Sequence, residues 1–114
     1  MNKIFLILTL SICSYGLMSQ SGEFKVLGYG NSECGEVVEE AERGLDSIGY
    51  LVYMGYAQGV ITTLNGASQF IYGEQKNFTP KFPTLKRVIK NYCNENPLSI
   101  FHTAVTTVWV ENAK

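Results

Sequence analysis

Histidine occurs once in this chain of 114 residues, tryptophan once, and proline and cysteine three times each. A single histidine, His102, excludes the multi-histidine ligand sets of zinc centres and leaves any imidazole catalysis to one ring. No apolar stretch reaches the roughly 20 residues that a bilayer-spanning helix needs. Basic excess is missing too: nine Lys and Arg stand against ten Asp and Glu, a formal charge of −1. Such a balance offers neither the basic face that nucleic acid demands nor a polybasic membrane patch. There is no Cys-x-x-Cys pair for redox chemistry, no strand-turn-helix serine motif and no calcium loop, and Gly28-Tyr29-Gly30 is too short to cradle a phosphate. No catalytic residue, metal or cofactor is expected. His102 reads as a structural or solvent-facing residue, with Ser99 one turn before it on a helix surface.

The amino terminus, by contrast, is rich in signal. Lys3 precedes Ile4-Phe5-Leu6-Ile7-Leu8-Thr9-Leu10-Ser11-Ile12, and small or polar residues follow at Ser14, Gly16, Ser19 and Ser21. A charged start, a short apolar core and a small-residue exit make a cleavable signal peptide over residues 1–20, cut after Ser19 or Ser21. A retained anchor and lipidation at Cys13 are the alternatives, the latter disfavoured because bulky Ile12 precedes the cysteine. Export implies a periplasmic location, no membrane insertion after cleavage, and a mature net charge of about −2.

Cleavage leaves one domain's length of chain and two cysteines, Cys34 and Cys93. In an oxidising compartment an even count reads as a disulfide, and two cysteines allow one connectivity. Closing a loop of about 60 residues is worth about 4 kcal/mol, a large share of a small domain's stability.

Residues 21–31 read as an extended arm, and residues 32–114 as a single all-α domain, a bundle of about four helices. Asn31 or Ser32 caps the first, where Cys34, Val37, Val38, Ala41 and Leu45 recur at helical steps among Glu33, Glu36, Glu39, Glu40 and Glu42. Gly44 ends it. Asp46 or Ser47 caps a second helix running to Asn65-Gly66, apolar over more than half its circumference and therefore expected to be buried on several sides. Gly55 and Gly59, one turn apart, would let another backbone come close. A strand over 50–56 competes with that helix. Thr84 caps a third helix carrying Leu85, Val88, Ile89, Tyr92 and Cys93, closed by Asn94. Asn96-Pro97 begins a fourth, with Leu98, Phe101, Val105, Val108 and Trp109 inward.

Between the second and third helices, residues 67–83 read as a long loop. Gly73, Pro80 and Pro83 break regular structure, and Phe70, Tyr72, Phe78 and Phe82 add aromatic weight. Loops of this length are often functional. Either these four rings fold back over the core, or they present a surface to a protein partner, since interfaces favour aromatic anchors.

Three stretches also carry a resemblance. Ser32-Glu33-Cys34 opening an acidic helix and Val88-Ile89-Lys90-Asn91-Tyr92-Cys93-Asn94-Glu95-Asn96-Pro97 near the end are similar to the HdeA superfamily, which holds acid-stress chaperones and the Rap/Tai immunity proteins of type VI secretion. Tyr53-Met54-Gly55-Tyr56-Ala57-Gln58-Gly59 is similar to the Gly-Tyr-x-x-Gly segment of the immunity branch. The extra cysteines of that branch and the high lysine and aspartate density of the chaperones are absent. The resemblance implies a disulfide between Cys34 and Cys93 and a non-catalytic protein that binds and neutralises a toxic effector. The alternative it implies is a chaperone holding unfolded clients, through protonation of the Glu33–Glu42 face. A homodimer is compatible with either. Two readings from other classes remain: a small hydrolase using carboxylates such as Glu74 and Glu95, and a subunit of an envelope complex.

Overall fold

Four α-helices carry the fold in the computed structural model, which describes residues 24–114: α1 (Cys34–Glu42), α2 (Ile48–Tyr72), α3 (Phe82–Glu95) and α4 (Phe101–Asn112). Among these residues there is no strand, only an isolated bridge between Glu33 and Ile100. The fold is the all-α bundle expected, and residues 50–56 are helical. The leader, Cys13 and both cleavage sites lie outside the described residues.

α1 and α3 run antiparallel and are tied at both ends. Cys34, at the start of α1, is disulfide-bonded to Cys93, near the end of α3, with Cα atoms 4.8 Å apart. Just beyond the other end of α1, Asp46 accepts a hydrogen bond from Lys86 Nζ at 2.5 Å. Ser47 starts α2 as a true cap: its Oγ accepts from the Tyr50 amide and donates to the Glu40 carbonyl, linking α1 to α2. α2 and α4 lie side by side in the same direction, joined by Tyr56–His102 early and Asn65–Trp109 late.

The core sits where the four helices meet. α2 contributes Tyr50, Tyr53, Met54, Ala57 and Ile61 at helical steps, α3 Leu85, Ile89 and Cys93, and α4 Phe101, Ala104, Val105, Val108 and Trp109. Each large apolar side chain so enclosed contributes roughly 1.5–3 kcal/mol by leaving water. Tyr50 is wholly buried and donates its hydroxyl to the Lys86 carbonyl at 2.5 Å.

Several boundaries differ from those expected, each for a local reason. The helix begun at Ile48 does not stop at Gly66 but continues to Tyr72, where Gly73 in the left-handed conformation (φ 73°) caps it and returns its amide to the Gln69 carbonyl. The loop expected over 67–83 is therefore a connection over residues 73–81. Pro83 falls in the first turn of α3, where a missing amide costs nothing, so that helix opens at Phe82 rather than after Thr84. Pro97 starts no helix. Residues 96–100 form a strap whose carbonyls serve α1: Cys34 N–H donates to Ser99 O at 2.8 Å and Gly35 N–H to Pro97 O at 2.9 Å. The first amides of α1 are thus capped from a distant segment, and neither Asn31 nor Ser32 is the cap. The arm is extended over residues 24–27, then makes a 3-10 turn at Gly28–Asn31.

Candidate functional site

The apolar arc of α2 is broader than the neighbours it has. Its Tyr50–Ile61 face is buried, but along the flank beside α4 an open groove of about 530 Å³ remains. Val60 and Leu64 line its length, with Thr106 on the α4 side. Gly55 and Gly59 form part of its wall, and a Cβ on either would meet nothing within 4 Å. The close backbone approach expected at these glycines does not occur; what they leave is space.

One end of the groove is polar. Tyr56 Oη and His102 Nδ1 are 2.6 Å apart, and Phe24 meets the imidazole edge-on with ring centroids 6.1 Å apart. With the Tyr56 O–H assigned as donor to Nδ1, the imidazole proton is placed on Nε2. Burial pushes the Tyr56 phenol above its ordinary value and keeps that proton in place. Backbone geometry seats the tyrosine: Gly30 is buried against it, and a Cβ there would collide with the Tyr56 ring. Ser99 makes no Ser–His pair, because its hydroxyl donates to Ile100 O.

A second cleft, about 330 Å³, opens between α1 and α2, where Glu36, Glu39 and Glu40 face Tyr29, Val52 and Tyr53. Glu40 is paired with Arg43 at 3.5 Å, and Glu74 with Lys76 at 3.7 Å. Among the described residues no three His, Cys, Asp or Glu side chains converge as a metal set, and no helix is long and apolar enough to cross a membrane.

The four aromatic residues picked out from the sequence fall into two groups. Phe78 and Phe82 are half-buried against the core, as covering rings would be. Phe70 and Tyr72 stand on the last turn of α2. Phe70 is 93% exposed, Ile71 58% and Tyr72 47%. Tyr72 stacks on Trp109 at 5.9 Å and carries Lys76 Nζ 5.1 Å above its ring. Val110, next to Trp109, is 62% exposed. The tip where α2 ends is thus an apolar projection with a rigid aromatic base. The groove was missed by sequence reasoning, since its polar end pairs residues 46 positions apart; the only signals were the lone histidine and two glycines with no packing role.

No protein-family model, curated protein or solved structure matches the chain.

Proposed function

We propose that this chain is a non-catalytic, exported protein-binding domain of the periplasm, an immunity protein that neutralises a secreted toxic effector by covering it. The observation that carries the reading is the tip of α2. Phe70 is almost entirely in water, beside exposed Ile71 and half-exposed Tyr72, on a helix end held by the Tyr72–Trp109 stack. Large apolar side chains on a rigid projection are costly to leave solvated, and anchors of this kind carry most of the energy of protein interfaces. The similarity of the segments around Cys34 and Cys93 to the HdeA superfamily, and of Tyr53–Gly59 to its Rap/Tai immunity branch, suggests the partner's class. Phe78 and Phe82 are packed on the core and are left out of this proposed contact surface.

The test is capture from native envelope extract with the tagged, full-length gene product, together with survival of a deletion strain beside its own kin. The reading predicts one stoichiometric effector and self-intoxication of the deletion strain. If no effector is captured and the deletion strain is unharmed, the reading fails. Suppression of client aggregation at acidic pH, in that case, selects the chaperone alternative.

A further inference from the structure

The groove between α2 and α4 lies apart from the tip of α2 and has a chemistry of its own. Among the described residues its lining includes no Asp, Glu, Lys or Arg. In fact α2 carries no such residue anywhere from Ile48 to Tyr72. Thr63 and Thr106 line it, but their hydroxyls are spent on backbone carbonyls, those of Gly59 and Thr103. With Nδ1 engaged by Tyr56, the Nε2–H of His102 makes no hydrogen bond among the described residues. Among the described residues the groove therefore offers one free hydrogen-bond donor, the imidazole Nε2–H, at the end of an uncharged apolar channel. From Tyr56 to Leu64 the channel spans about 12 Å of helix. Its volume of about 530 Å³ lies within the range of small-molecule sites.

We propose that this groove binds a medium-chain monocarboxylate, its acyl tail along Val60 and Leu64 and its carboxylate on Nε2 of His102. Each part of the ligand answers a part of the site. An unbranched tail matches a channel with no polar group to satisfy along its length. A single anionic head matches a single donor that gains strength when the acceptor is charged. A cationic head would find no carboxylate among the lining residues, and a zwitterion would leave its second charge unpaired.

Isothermal titration with decanoate below its micellar concentration, on protein made from the full-length gene, tests the proposal against decanol and decyltrimethylammonium. Saturable binding of one decanoate per chain is expected, with decanol about tenfold weaker, as for loss of one charge-assisted hydrogen bond, and no cation binding. Gly59→Leu should abolish binding: the added side chain enters open space, so the fold is kept, as circular dichroism would check. His102→Phe should weaken decanoate about tenfold and leave decanol unchanged, a split that a merely collapsed groove would not produce. Absence of saturable decanoate binding, equal affinity for all three heads, or full binding by Gly59→Leu overturns the proposal. Effector capture through the tip of α2 should survive Gly59→Leu, so the two readings fail separately.

Discussion

The carboxamide of Asn65 holds the indole of Trp109: Oδ1 accepts from Nε1 at 2.8 Å, and the same oxygen accepts from the Phe78 amide at 2.9 Å. Nδ2 of Asn65 donates in turn to the Phe78 carbonyl at 3.2 Å. One side chain on α2 thereby fixes the largest core residue of α4 and the backbone of the 73–81 connection. Asn65→Ala strands a buried N–H on Trp109 and both backbone groups of Phe78, so a loss of about 1–3 kcal/mol is expected in urea denaturation. Tryptophan fluorescence should shift as well, because the indole N–H loses its hydrogen bond to Asn65. An unchanged midpoint and spectrum would remove Asn65 from this role.

The bond from Cys34 to Cys93 closes 59 positions of sequence, and it joins the one end of α1 that lacks a side-chain cap to α3. Reduction, or the Cys34→Ser/Cys93→Ser pair, should cost about 4 kcal/mol through the freed unfolded chain. For a domain of this size that is enough to leave it partly unfolded at room temperature. Thermal melts with and without reductant measure it, and coincident melts would refute it.

How much of this was readable beforehand depends on whether the determinant is local. The four helices announce themselves by spacing, as Leu85, Ile89 and Cys93 do on α3, and Ser47 caps α2 with its own oxygen. Apart from the Cys34–Cys93 pair, where two residues had to meet across the chain the sequence was silent. Carbonyls of Pro97 and Ser99 cap α1, so Asn31-Ser32 before that helix and Asn96-Pro97 before α4 misled for the same reason: each offered local capping chemistry to a terminus served from elsewhere. Proline-83 and Gly73 were correct punctuation with the wrong meaning, a helix start and a helix end rather than the interior of a loop. Even the groove follows this rule, being the part of α2's apolar arc that no partner helix covers.

Alkaline pH should undo the bundle through Tyr50. Burial raises its phenol well above the ordinary value, only partly offset by the backbone of Lys90. In the unfolded chain the same group releases its proton near pH 10. Above that pH the unfolded state binds fewer protons than the folded one, so unfolding is favoured as pH rises. Stability from this group is complete below about pH 10 and lost as pH climbs from there towards the raised folded value. Tyr50→Phe removes the titration along with the hydroxyl's bond to Lys86 O. The variant should be less stable near neutrality, with a flatter dependence above pH 10. Parallel alkaline slopes in the two proteins would count against Tyr50.

Two glycines should respond to alanine with opposite sign. At Gly30 the new methyl collides with Val26 and with the Tyr56 ring, which packs against the core, and overfilling of this kind costs about 1–3 kcal/mol. At Gly59 the methyl meets open space in the middle of a helix, and the better helix former should add about 1 kcal/mol. Chemical denaturation of both variants decides the matter, and a destabilised Gly59→Ala would mean that the α2–α4 flank is closed.

Phe70 separates binding from folding. With 93% of its surface in water it contributes almost nothing to the core, so Phe70→Ser should leave the melting temperature within about a degree of the parent. Its loss should nonetheless cut effector affinity by at least tenfold, since a central aromatic anchor is typically worth 2 kcal/mol or more. Tyr72→Ala should do both, weakening capture and lowering stability, because its ring also covers Trp109. Phe82→Ala, at a half-buried position beneath Lys86 Nζ, should lower stability alone. That ordering is the signature of an interface at the tip of α2, readable by combining melts with titration of the captured partner. Equal capture by the parent and Phe70→Ser would move the interface off the tip, whatever the partner proves to be.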